Sequence, residues 1–163
     1  MGQMNMSDPT FSLLTRSHTC ELRNLYEITD NEFVLPLSRQ SKDASAIIES
    51  VFREGEYVGG FLDSKLICCG GYRLIDERHA EIHGIVVHPD QRKKGYAKRM
   101  IYEIFHRARG CGVGRVVVGS WEGSAGLSLF RSMGFKECEW YDDADKRPPG
   151  VRTVRLSFEL DTI

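Results

Sequence analysis

The sequence predicts an α/β fold of the α+β kind, with about six to seven strands and about four helices. Three observations predict it. Residues 79–97, HAEIHGIVVHPDQRKKGYA, run from an apolar strand through a proline turn and a basic cluster to a glycine that opens a helix. Residues 114–135 show the same strand-then-helix order and stop on Gly134-Phe135. Apolar runs separated by turn residues precede and follow these segments, as sheet strands require.

Taken along the chain, Phe11 to Arg16 reads as a first strand, and Cys20, Leu22, Leu25 and Ile28 mark a helix over 18–29. Ser41 or Asp43 opens a second helix whose apolar stripe is Ala44, Ile47, Ile48, Val51 and Phe52. Tyr57 to Leu62 and Leu66 to Leu74 form a hairpin about a turn at Asp63-Ser64-Lys65, and Asp76-Glu77 turns the chain again. From Ala80 to Val87 the residues Ile82, Ile85, Val86 and Val87 make a strand that Pro89 ends, because proline has no N–H for a ladder. Side chains alternate along a strand, so Glu81 and His83 share one face. Ala97, Met100, Ile101, Ile104, Phe105 and Ala108 then recur at helical spacing up to Gly110. Gly114 to Gly119 is a buried strand, and Ser124 to Met133 is a helix with Ala125, Leu129, Phe130 and Met133 on one stripe. Strands through Cys138 to Tyr141 and Arg152 to Leu160 close the chain around a charged loop at Asp142 to Gly150.

A chain of 163 residues with 41% hydrophobic content buries a core as one domain, 1–163, with no low-complexity linker and no internal repeat. The net charge of −1 argues against a general nucleic-acid binder, which needs a wide basic surface. No apolar run is long enough to span a bilayer, no secretory segment opens the chain, and Met6 stands where a myristoylation signal after Gly2 wants Ser or Thr. A cytoplasmic protein without a membrane partner is expected. Five cysteines, Cys20, Cys68, Cys69, Cys111 and Cys138, are odd in number and lack Cys-x-x-Cys spacing, so neither a disulfide framework nor a metal site is indicated. Cys68 and Cys69 lie in an apolar strand and read as buried thiols.

The chemistry concentrates in Arg92-Lys93-Lys94-Gly95-Tyr96-Ala97-Lys98. A helix start leaves backbone N–H groups unpaired and partly positive, which favours an anion, and Gly95 and Ala97 leave room for a diphosphate while Arg92, Lys93, Lys94 and Lys98 add full charges. A solvated turn with charges kept for solubility would carry the same cluster. No Gly-x-x-x-x-Gly-Lys-Ser/Thr loop is present.

This segment resembles motif A of the GNAT acyltransferase superfamily, Arg/Gln-x-x-Gly-x-Gly/Ala, matched by Arg92, Gly95 and Ala97. The helix ending in Gly134-Phe135 resembles the same family's motif B, and the ordered coincidence covers Ala80 to Phe135. The resemblance implies the GNAT fold, a strongly twisted mixed sheet whose two central parallel strands splay apart to admit a cofactor arm. It implies acetyl-coenzyme A as cofactor, with Ile85, Val86 and Val87 along its arm, residues 92–98 on its pyrophosphate, and Ser124 and Phe130 beside its pantetheine. It also makes a homodimer a modest expectation.

An alkylamine, with a pKa of about 10, must lose a proton before it attacks a thioester. Some family members use a glutamate of the motif A strand for this, which here is Glu81, with His83 on the same face to relay or replace it. Glu81 and His83 also suit the solvated side of a half-covered strand, and both readings stand. Phe130 occupies the place where many members carry a tyrosine that protonates the thiolate, leaving Ser128, Tyr141 or water for that role, and Gly123 and Ser124 stand where an asparagine is common. Trp121 and Glu122 either contact an acceptor amine or form an ordinary loop, and Trp140, Tyr141, Asp142 and Asp143 can line the far wall. An acidic and aromatic rim of this kind suits a cationic amine or basic peptide end and suits an acidic substrate poorly. Two functional readings follow: N-acetyl transfer to a primary amine of a small molecule or peptide within a ternary complex, or a degenerate domain that binds coenzyme A as a sensor.

Overall fold

The computed structural model describes residues 8–29, 44–141 and 152–162. The expected helix start at Ser41 or Asp43 and the charged loop at Asp142 to Gly150 lie outside them, as do Gly2 and Met6 and the side chain of Tyr141. Among the described residues the strands are β1 (Thr10–Leu13), β2 (Gly55–Leu62), β3 (Lys65–Leu74), β4 (His79–Val87), β5 (Arg115–Trp121), β6 (Lys136–Tyr141) and β7 (Thr153–Glu159). The helices are α1 (Thr19–Ile28), α2 (Ala44–Glu54), α3 (Tyr96–Gly110) and α4 (Ala125–Ser132).

The strands form one seven-stranded sheet in the order β1-β2-β3-β4-β5-β7-β6. All neighbours are antiparallel except β4 and β5. The expected elements are present with shifted ends. The first strand stops at Leu13, and Arg16–His18 is a 3₁₀ turn in which Thr15 N–H bonds to His18 Nδ1 at 2.9 Å, so the chain bends before the expected Arg16 end. The fifth strand runs past Gly119 because Ser120 and Trp121 still pair with Val154 and Thr153.

Period-two alternation divides the core between the two faces. Ala80, Ile82, Val116, Val118, Val154 and Leu156 point to one face, where they meet Met100, Ile101, Ile104 and Phe105 of α3 and Leu127 and Phe130 of α4. Tyr57, Cys69 and Val86 point to the other and meet Leu22, Leu25 and Tyr26 of α1 and Ile48 and Val51 of α2. The amphipathic stripe read from the sequence of α3 is thus its buried side. Cys68 and Cys69 are fully buried, and burial pushes each thiol up to about 12.

One irregularity positions the site. Between Cys69↔Val86 and Gly71↔His83 the β3–β4 register slips, so that Gly84 and Ile85 together face Gly70. This bulge reverses the parity of β4: Ala80 and Ile82 before it, and Ile85 after it, all reach the α3 face. Gly84 has φ +58°, and a Cβ there would stand 2.2 Å from Tyr26 Oη. That hydroxyl donates to the Gly84 carbonyl at 2.9 Å and, with its one proton spent there, accepts from Tyr57 Oη at 3.2 Å.

Candidate active site

β4 and β5 pair only at His79↔Arg115, Ala80↔Val116 and Glu81↔Val117. Beyond Glu81 and Val117 the two parallel strands share no ladder, although β4 continues to Val87 and β5 to Trp121. The result is a fork. Ile85, Val86 and Val87 form the β4 arm beyond it, and that arm leads through the Pro89–Gln91 turn to the start of α3.

The start of α3 is open to an anion. Gly95 is its N-cap, in the left-handed region at φ +80°, and supplies no side-chain cap. The first-turn N–H groups have no acceptor within the helix itself, and nothing lies within 4 Å of where a Cβ on Gly95 would stand. At the start of α4, by contrast, Ser124 Oγ accepts from Leu127 N–H at 3.1 Å. Lys93, Lys94 and Lys98 are exposed around the α3 terminus, with Lys94 Nζ on Gln91 Oε1 at 2.9 Å. Arg92 bends back toward the Val87 carbonyl, its Nε and Nη2 each 3.4 Å from that oxygen. Tyr96 packs its ring on the main core, and Ala97 is half-buried beside it. A side-chain-free cap, unspent N–H groups and a ring of cations fit a diphosphate.

Glu81 sits at the mouth of the fork, and His83 is two residues further along the same face. His83 Nε2 lies 2.8 Å from Glu81 Oε1 and also 3.0 Å from Arg73 Nε, which donates toward it. A ring nitrogen holds one proton or one lone pair, so Nε2 either accepts from Arg73 or donates to Glu81. Arg73 is itself held by Ser50 Oγ at 2.8 Å and by Glu54 Oε2 at 3.5 Å, which anchors the cluster to α2. The hydrogen bond with His83 lowers the pKa of the Glu81 carboxyl, with attraction from His83, Arg73 and Arg155 adding to it and partial burial opposing it. Glu81 is therefore a carboxylate at neutral pH.

The remaining candidates are dispersed. Trp121 is the last residue of β5, half-buried opposite Thr153, rather than the start of a loop. Glu122 is the first residue past the strand, and its Oε2 pairs with Arg152 Nη2 at 2.9 Å, which lowers its pKa chiefly through that hydrogen bond. Arg152 in turn stacks over the Trp140 ring at 4.7 Å. The expected acidic rim is thus partly neutralised within the chain. The Tyr141 backbone pairs with Thr153. Ser124 Oγ, besides its capping bond, lies 3.0 Å from Ser120 Oγ. Phe130 is 6% exposed and packs against Phe135 at 5.1 Å between ring centroids.

The family model of the acetyltransferase (GNAT) family matches residues 22–135. The chain belongs to that family. As a GNAT chain it shares its fold with solved acetyltransferases. A putative acetyltransferase from Salmonella typhimurium, yncA, solved with acetyl-CoA, superposes with a TM-score of 0.77 at 17% identity over 95% of both chains. An aminoglycoside 6′-N-acetyltransferase complexed with coenzyme A gives 0.77 at 14% identity over 93% of this chain and 97% of that one. The L-amino acid N-acyltransferase MnaT of Escherichia coli K12 is 35% identical over 68 residues, and the match spans 40% of each chain.

Sequence reasoning passed over the residues that surround Glu81. Arg73 lies across the Asp76-Glu77 turn from Glu81 but carries no motif, and Arg155 is distant in the chain, so only the sheet order brings it near β4 and β5. Gly84 carried a usable signal, since a glycine inside an apolar strand marks a bulge or a close approach.

Proposed function

We propose that residues 1–163 act as a single acetyltransferase domain that moves an acetyl group from acetyl-coenzyme A to a primary amine of a small molecule or peptide, by direct attack in a ternary complex. The observation that carries this reading is the fork that opens at Glu81–Val117 and leads along β4 to the uncapped start of α3. The N–H groups of Tyr96, Ala97 and Lys98, with Arg92, Lys93 and Lys94 around them, hold the pyrophosphate. Ile85, Val86 and Val87 guide the pantetheine arm along the β4 side of the fork, with Ser124 at the N-cap of α4 and Phe130 on that helix across from it. Acetyl-coenzyme A supplies the activated thioester. Family membership and the folds of relatives solved with acetyl-CoA or coenzyme A support that choice of cofactor.

Glu81 is ionised and faces the side of the sheet away from α3, so it meets the amine as the acetyl group arrives from the α3 side. The amine nitrogen forms the new C–N bond, the C–S bond breaks, and the amine proton passes to Glu81. A lowered carboxyl pKa makes Glu81 a weak base for an ammonium of pKa about 10, which favours passage through a water bound to the Glu81 carboxylate. Arg73, opposite Glu81 in the β3–β4 ladder, adds positive charge beside this cluster. The departing thiolate, whose conjugate thiol has a pKa of about 8.5, takes a proton from water without a tyrosine at position 130.

Glu81→Gln tests the reading. It is expected to lower kcat about 100- to 10,000-fold while acetyl-CoA affinity, measured by calorimetry, stays at the wild-type value. A variant that turns over like the parent refutes Glu81 as the base.

A further inference from the structure

The face of the sheet that carries Glu81 holds a second feature. In the β5–β7 ladder Arg155 lies opposite Gly119, and in the β6–β7 ladder it lies opposite Glu139. Ladder partners share a face, and Gly119 is two residues from Val117, the partner of Glu81. Glu81, Val117, Gly119 and Arg155 therefore lie on one side of the sheet, opposite the side covered by α3 and α4. α1 and α2 pack on β2, β3 and β4, and the described helices leave this side of β5 and β7 uncovered.

Arg155 differs from other arginines of this half of the molecule. Arg115, Arg131 and Arg152 each reach a carboxylate, on Glu159, Glu137 and Glu122. Arg155 is exposed and has no hydrogen-bond or ion-pair partner among the described residues, although Glu139 stands beside it in register. Its charge nevertheless acts on Glu81, as a contribution smaller than the His83 hydrogen bond. Gly119 has no side chain to fill the space between the two. Two residues back along β7, Thr153 is buried with Oγ1 unpartnered among the described residues, an unsatisfied hydroxyl on the same face of the strand as Arg155.

We infer that Arg155 selects the acceptor, binding a carboxylate carried next to the reacting amine, so that the substrate class is an α-amino acid or an equally compact amine with an adjacent anionic group. The inference rests on the acetyl-transfer reading above. It reverses the charge preference drawn from Glu122 and the acidic rim, because Glu122 is paired with Arg152 and the guanidiniums of Arg73 and Arg155 flank Glu81. The amine sits toward Glu81 and His83, the carboxylate toward Arg155, and Val117 and Trp121 offer apolar surface on the same face to the rest of the molecule.

The test compares acceptors that differ only in the anionic group: L-leucine, L-methionine and L-phenylalanine against their amides and their decarboxylated amines, with spermidine and kanamycin as cationic acceptors. Thiol release from acetyl-CoA gives kcat/KM for each. The intact protein is expected to prefer the amino acids, and Arg155→Gln to lower the amino-acid-to-amide ratio by about 10- to 100-fold, mainly through KM, as loss of a charge-assisted hydrogen bond requires. Arg155→Lys is expected to restore much of the ratio. Arg115→Gln removes an equal charge from the same face and is expected to leave the ratio where it was. Turnover of amides, amines or cationic acceptors as fast as amino acids, or a ratio unmoved by Arg155→Gln, overturns the inference and leaves acetyl transfer standing. Bound acetyl-CoA with no turnover of any acceptor overturns both.

Discussion

Replacing Gly84 by alanine perturbs the β3–β4 bulge, which sets the face that Ile85 to Val87 present beyond the fork. At φ +58° a side chain pays the left-handed penalty of about 1–2 kcal/mol. The new Cβ would also stand 2.2 Å from Tyr26 Oη and 3.0 Å from Tyr26 Cζ, so the ring must move. The hydroxyl is anchored by its bonds to the Gly84 carbonyl and Tyr57, and displacing a buried group of this kind costs about 1–3 kcal/mol. The sum, about 2–5 kcal/mol, is a large fraction of the stability of a domain this size. Urea unfolding of the parent, Gly84→Ala, Tyr26→Phe and the double variant closes a cycle. Because phenylalanine lacks the atom nearest the new methyl, the double variant is expected to be more stable than additivity predicts by about 1–2 kcal/mol. Strict additivity would show that Tyr26 and the bulge are not in energetic contact and would refute the clash with Tyr26 as a source of the cost. In the folded Gly84→Ala fraction, KM for acetyl-CoA is expected to rise, since Ile85 to Val87 shift with the bulge.

Gly95→Ala is expected to cost about 1–2 kcal/mol in chemical denaturation, because its Cβ meets nothing and only the left-handed φ is strained, while calorimetry reads weakened acetyl-CoA binding. The lowered pKa of Glu81 means that this carboxylate stabilises the fold at and above its ordinary range near 4.5, and that the contribution is lost as pH falls through the lowered folded value. The stability difference between the parent and Glu81→Gln is therefore expected to be constant near neutrality and to shrink below about pH 4. An aromatic disulfide reagent is expected to titrate the exposed Cys20, Cys111 and Cys138 in the native state and to reach Cys68 and Cys69 only on unfolding.

The start of α3 was legible in the sequence because its determinants are local. Pro89 ends the strand, Gly95 takes the left-handed cap without the cost a side chain would add, and the apolar period from Met100 to Ala108 declares the buried side of the helix. The placement of Glu81 and His83 on one face was legible for the same reason, since alternation is a property of the strand itself. Pairing is a different matter. A strand's pattern says which residues face together and leaves its neighbours unstated. Only the tertiary structure inserted β7 between β5 and β6, which carried Arg155 to the Glu81 face and set Arg152 against Glu122. The Gly84 bulge and the end of pairing at Glu81–Val117 likewise arise from contacts between α1, β3, β4 and β5, segments far apart in the chain. The residue types able to do chemistry were thus written locally, while the charge they meet and the opening they face were decided by long-range register, because hydrogen-bonded ladders join strands whose order the local pattern does not encode.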